Sequence, residues 1–183
     1  MIYSGVVSSN DELEQIHKMN QQNLKQNISA EQIEKEGFVS WLYSVELLKK
    51  MHSLAPSIIA KEGSAVIGYA LTTLREAGKF HADLFTMIEN LGEVKFQNKA
   101  LMSHSFYFMG QVCIAKAYRG KGVFDLLYEQ HKKVYKNQFD FILTEVSTAN
   151  YRSLKAHKRI GFETVHTYKD SMDEWQVIVW NWK

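Results

Sequence analysis

A mixed α/β (α+β) domain is predicted for this chain by three observations. Apolar residues alternate in several short segments and recur at three-to-four spacing in the stretches between them. Glycines sit where the two patterns meet, and the single proline, Pro56, leaves the helical stretches uninterrupted. At 183 residues and 45% hydrophobic content, the chain is sized for one core rather than two. No linker, internal repeat or low-complexity tract divides it, so one domain over 1–183 is expected.

The elements follow in order. Ile2–Ser8 alternates as a first strand. Asn10 or Asp11 caps a helix carrying Leu13, Ile16 and Leu24 at helical spacing. Ser29 followed by Gln32 is a capping box for a short helix that stops at Gly37. Trp41, Val45, Leu48 and Met51 form one stripe, which predicts a helix over Phe38–His52. Residues 56–71 place two apolar runs around Glu62-Gly63-Ser64 and predict a hairpin. Residues 76–103 are less periodic and long enough for either a substrate lid or structural packing. Ser105–Ile114 is an apolar strand, and the turn Tyr118–Gly122 opens a helix to about Lys136. Phe139–Ser147 is a buried strand, Asn150–Arg159 a helix stopped by Gly161, and Phe162–Tyr168 and Trp175–Trp182 are the last two strands.

Composition excludes several classes of function. Lys+Arg of 22 against Asp+Glu of 20 gives a net charge of +2, which does not supply the clustered basic surface of a nucleic-acid-binding protein. Cys113 is the only cysteine, so no internal disulfide can form. No apolar stretch reaches the roughly 20 residues that cross a bilayer, and residues 1–20 lack a basic-then-apolar leader, so no membrane association and a cytoplasmic setting are expected. The seven histidines have no metal-ligand spacing, and no metal is expected. Trp175, Trp180 and Trp182 read first as packing residues; a pocket wall or a homodimer contact is the other use of so much aromatic surface.

The chemistry concentrates in Tyr118-Arg119-Gly120-Lys121-Gly122-Val123, between a predicted strand and a predicted helix. A helix start exposes unpaired N–H groups and the positive end of the macrodipole. Two glycines let the backbone approach an anion closely, so a pyrophosphate suits the turn. The spacing fits neither a P-loop nor a dinucleotide fingerprint. About 30 residues later come Glu145, Asn150, His157 and Gly161-Phe162.

Together these segments resemble the GCN5-related N-acetyltransferase (GNAT) superfamily. Its Q/R-x-x-G-x-G/A motif is similar to Arg119-Gly120-Lys121-Gly122-Val123-Phe124, with Phe124 in place of the usual small residue. Its Asn-initiated helix ending in Gly-Phe is similar to Asn150 through Phe162. The resemblance implies a central mixed, mostly antiparallel sheet with two splayed central strands and helices on both faces. It implies acetyl-CoA as cosubstrate and a small-molecule or peptide amine as acceptor, acetylated by direct attack.

Residue by residue, the resemblance implies that the amides of Arg119, Gly120, Lys121, Gly122, Val123 and Phe124 bind the pyrophosphate. It implies that an N–H at Cys113 or Ile114 binds the acetyl oxygen, and that the Asn150 carboxamide holds the pantetheine arm. Glu145 matches a general base of the family. His157 stands where a Tyr commonly protonates the leaving thiolate, and is expected as the acid. His104, Tyr107 and Gln111 are placed to read the acceptor. Because Phe124 and His157 depart from the family pattern, a GNAT-fold module that binds acyl-CoA without turnover, as sensor or interaction module, remains the alternative.

Overall fold

The computed structural model describes residues 1–183. Seven strands form one sheet: β1 (Ile2–Val6), β2 (Ile58–Glu62), β3 (Ala65–Thr73), β6 (Phe106–Ile114), β7 (Phe141–Ser147), β8 (Glu163–Lys169) and β9 (Glu174–Asn181). Their order is β1-β2-β3-β6-β7-β9-β8, and every neighbouring pair is antiparallel except β6 and β7. The helices are α1 (Asn10–Gln22), α2 (Ala30–Glu36), α3 (Val45–Leu54), α4 (Ala82–Glu89), α5 (Val123–Tyr135) and α6 (Tyr151–Arg159). None is long and apolar enough to cross a membrane.

Strand alternation sends successive side chains to opposite faces. On one face Ile59, Tyr69, Leu71 and Cys113 pack under Leu13 and Ile16 of α1 and Leu47, Leu48 and Met51 of α3. On the other, Ile58, Ala60, Ala70 and Ile142 pack under Val123, Leu127, Tyr128 and Tyr135 of α5. The expected sheet with helices on both faces is therefore the observed one.

Two irregularities position the site. β6 and β7 pair only at Phe106↔Phe141, Tyr107↔Ile142 and Phe108↔Leu143, and beyond these positions they diverge. The last tie across them is Thr144 Oγ1, which donates to Met109 O at 2.8 Å. In the same strand Ala70 faces Val112 while Thr72 faces Met109, so β6 carries an extra residue, a bulge at Gly110-Gln111. A side chain at Gly110 would put its Cβ 2.5 Å from Thr73 Oγ1, so the close approach there needs glycine.

The expected helix over Phe38–His52 is corrected. Residues 40–44 have no helical conformation, and α3 starts at Val45, capped by Ser44, whose Oγ accepts from Leu47 N at 3.2 Å. Distant groups satisfy the backbone before it. Asn20 Nδ2 donates to Trp41 O, Tyr43 N donates to Asn20 Oδ1, and Val39 bridges to Leu24. Three-to-four spacing is compatible with an extended segment whose apolar side chains turn inward, and here tertiary hydrogen bonds decide the outcome. The 76–103 segment is ordered as a 3-10 turn at Arg75–Phe80, helix α4 and a short hairpin of β4 (Lys95–Phe96) and β5 (Lys99–Ala100). Arg75 fastens its base by donating to Met102 O at 2.8 Å and His104 O at 2.6 Å.

Candidate active site

β6 runs through a 3-10 turn, Lys116–Tyr118, into the glycine-rich turn before α5. Gly120 and Gly122 have φ of 72° and 79°, and Gly122 is the N-cap of α5. No side chain caps that helix. The amides of Gly120, Lys121, Gly122, Val123, Phe124 and Asp125 donate to no protein group. Six consecutive free N–H groups, at the positive end of a 13-residue helix, form an anion cradle. Gly120, Gly122, Val123 and Phe124 line a cavity of about 470 Å³.

Arg119 does something else. Its amide donates to Lys116 O at 3.3 Å, so it does not join the cradle. Its guanidinium donates to Ile114 O at 2.9 Å and Asn23 Oδ1 at 2.7 Å, and pairs with Glu36. Lys116, ahead of Arg119, holds the Glu36 carboxyl below the ordinary range against its partial burial. Arg119 thus ties the turn to α2 rather than offering a free charge. The Lys121 ammonium lies over the Tyr118 ring at 5.5 Å, so only the Lys121 backbone stays with the cradle. Phe124 fits because its ring turns inward, 4.8 Å from Tyr128 and 5.1 Å from His157 between ring centres.

Antiparallel alternation decides which β6 amides remain open. Ala115 N donates to Ile67 O at 2.9 Å, so Cys113↔Tyr69, two residues on, is also a hydrogen-bonded pair. The Cys113 amide is therefore committed to β3. Burial pushes its thiol up to about 12. Val112 turns its N–H and C=O toward the gap left by β7, as Ile114 does its N–H, while the Ile114 C=O accepts from Arg119 Nε. Of the two amides expected for an acetyl oxygen, that of Ile114 is open and that of Cys113 is not; the Val112 amide is open as well.

Asn150 caps α6, its Oδ1 accepting from Ser153 N at 3.3 Å while Nδ2 donates to Phe38 O at 2.9 Å. Its carboxamide therefore pins the 37–39 segment across the cleft, a positioning contact in place of the expected free hand on a ligand. The packing is tight: a Cβ on Gly37, where φ is 73°, would lie 2.8 Å from Asn150 Oδ1. Phe38, Val39, Val112, Asn150 and Ser153 also border a second chamber of about 170 Å³, so the two spaces meet there.

Glu145 lines this second chamber. Tyr168 Oη donates to its Oε2 at 2.9 Å, and its Oε1 is buried without a partner. Burial pushes the carboxyl up to about 7, Tyr168 counteracts part of that, and the nearby Asp170 charge raises it further. A carboxyl near 7 is suited to taking a proton at neutral pH. His157 is not suited to giving one. It is 1% exposed, and burial lowers it to about 4, so it is neutral. Nδ1 lies 2.8 Å from Ser153 O, which can only accept, so that nitrogen carries the proton. Nε2 then accepts from Tyr128 Oη at 2.5 Å. With its single proton committed, the expected acid role of His157 is withdrawn. Of the three residues expected to read the acceptor, Gln111 lines the chamber. Tyr107 is buried against His131 Nδ1 at 2.9 Å, and His104 Nε2 lies 3.1 Å from Phe96 O. Tyr43, Asp83, Tyr168 and Asp170 were not anticipated, and no local spacing joins them.

The whole chain superposes on known acetyltransferase structures. A chain of the NatC complex bound to Gag peptide and CoA matches with a TM-score of 0.65 at 15% identity, covering 100% of this chain and 99% of that one. Arabidopsis thaliana NAA60, in complex with a bisubstrate analogue, gives 0.66 at 13%, covering 99% and 98%. The ribosomal-protein-S18-alanine N-acetyltransferase from Escherichia coli gives 0.61 at 10%, covering 99% and 94%. At these identities the likeness concerns the fold. No curated protein matches the sequence. The model of the acetyltransferase (GNAT) family matches residues 26–162, about three quarters of the chain and the whole of the cradle, the open strand edge and α6. The chain belongs to the GNAT acetyltransferase family.

Proposed function

We propose that the protein is an acetyl-CoA-dependent N-acetyltransferase, a single catalytic domain acting on a primary amine. The observation that carries this reading is the continuity of three features: six free amides at the start of α5, the open edge of β6, and a buried carboxyl of raised pKa in the adjoining chamber. The cradle fits a diphosphate, and the open N–H and C=O of Val112 with the open N–H of Ile114 fit an extended, amide-bearing arm. Bound acetyl-CoA supplies the thioester whose acyl carbon the amine attacks, a C–N bond forming as the C–S bond breaks and the thiol leaves.

The chain's own residues then have definite work. An alkylammonium with pKa of about 10 is unreactive until it loses a proton, and Glu145 Oε1 takes it. The open amides of β6 stabilise negative charge developing on the carbonyl oxygen. The second proton shed by the nitrogen balances the thiolate, and Glu145 returns its own to solvent. No side chain is assigned as acid.

The test is mass-spectrometric detection of acetylated products over an amine panel, with Glu145→Gln as the paired variant. We expect turnover by the native protein and a loss of about 10²–10⁴ in kcat/KM for the variant, with CoA affinity kept. CoA binding without turnover of any amine would instead identify a sensor.

A further inference from the structure

The second chamber has a one-sided charge. Asp83, Glu145 and Asp170 all line it, and no lysine or arginine does. The cofactor cavity is mixed, with Arg119, Arg152 and Arg159 beside Glu36 and Asp125 on its wall. Trp41, Tyr43, Tyr168 and Trp175 supply aromatic faces to the same chamber. Asp170 is fixed in place. Its Oδ1 accepts from Met172 N at 2.7 Å and Asp173 N at 2.9 Å. Asp83, in the first turn of α4, is largely exposed; His81 Nδ1 lies 3.8 Å from its carboxylate but accepts the Asp83 N–H at 3.2 Å, so that nitrogen brings no proton to it. Lys25, the basic group nearby, is already paired with Asp173 at 3.7 Å.

An amine entering this chamber arrives as an ammonium, and Glu145 removes that charge before transfer. Asp83 and Asp170 remain to be matched. A second ammonium on the substrate would meet them and the aromatic faces, which attract cations. A carboxylate on the substrate would meet like charge in a partly desolvated space, which opposes binding. We infer that the acceptor is a compact aliphatic amine bearing a second positive charge and no carboxylate, that is, a diamine or short polyamine. This inference rests on the amine-acetyltransferase reading and narrows its substrate.

The experiment compares 1,5-diaminopentane, pentylamine and 5-aminopentanoate, matched in length and differing in the far group. Two readouts are taken: kcat/KM with acetyl-CoA, and calorimetric binding to the complex with CoA. We expect the diamine to exceed pentylamine at least tenfold and 5-aminopentanoate to fall at least tenfold below it, in both. Asp170→Asn combined with Asp83→Asn should narrow the diamine-to-monoamine ratio to within about threefold. Equal use of diamine and aminopentanoate, or an unchanged ratio in the double variant, overturns the inference. Diamine-selective binding with no acetylation of any amine would keep the ligand class while removing the transferase reading. Binding without preference would remove the ligand class whatever the turnover.

Discussion

Burial disfavours the charged forms of both Glu145 and His157, and the two effects have opposite signs in pH. Glu145 ionises near 4.5 in an unfolded chain and near 7 in the fold. Between those values the folded state holds the extra proton, so the Glu145 contribution to stability falls as pH rises through the window and is level above it. The size of that contribution is on the order of 3 kcal/mol. His157 moves from 6.5 to about 4, and His131 to about 3, so each is neutral in the fold while the unfolded chain protonates. Their contributions are lost as pH falls below about 6.5. Glu145→Gln isolates the carboxyl. Its melting temperature relative to the native protein should rise from pH 5 to pH 8, and it should remove the acid limb near pH 7 from kcat/KM. A melting-temperature difference that is flat in pH would mean that Glu145 titrates normally. The candidate base itself was legible as a strand glutamate five residues before a helix-capping asparagine. Its environment was not, because Tyr168 and Asp170 reach it only through the β8–β9 pairing.

At the scale of the element, local chemistry fixes some boundaries and tertiary contacts fix others. The capping box at Ser29 and Gln32 and the stop at Gly37 formed where their side chains predict. So did α6, opened by Asn150 and closed before Gly161. The Trp41 stripe misled because Asn20 and Gln111, at sequence distances of 21 and 70, take the Trp41 carbonyl. The bulge at Gly110 was equally hidden, since it exists only in the register between β3 and β6. The turn before α5 gives a sharper test. Nothing lies within 4 Å of a Cβ built on Gly122, so its constraint is the left-handed backbone alone. Gly122→Ala should cost about 1–2 kcal/mol and weaken CoA binding by more than tenfold as the turn relaxes and its amides lose alignment. Gly122→Asn, which tolerates that conformation better, should recover most of both in chemical denaturation and CoA titration. Equal effects of the two substitutions would show that backbone conformation is not what the cradle requires.

For the whole molecule, the decisive feature is a sheet that comes partly apart in its middle. β3 with β6 and β7 with β9 are each paired along most of their length, but β6 and β7 share three residue pairs. The two halves of the sheet are otherwise joined by the core packed under α5, by side chains such as Thr144 and by the 37–39 segment held on Asn150. The apolar pattern alone shows strands but not where two of them part, which only the family resemblance implies. The sequence also scatters Asp83, Glu145 and Asp170 so widely that their meeting is invisible before folding. A ligand lying in the gap would replace the missing strand contacts and join the halves. At 100-fold above its Kd it would add about 2.7 kcal/mol, a melting-temperature rise of about 5–10 °C for a chain of this size. Bulk stabilisation alone does not say where the ligand lies; amide hydrogen exchange does. The N–H groups of Val112 and Ile114 and those of Gly120 through Asp125 have no partner in the free protein, so they should exchange fast and slow markedly with CoA present. Cys113, bonded to β3 throughout, should show little of that local change. Protection spread evenly over β6, or confined to α5, would mean that the arm of the cofactor does not run along the open edge.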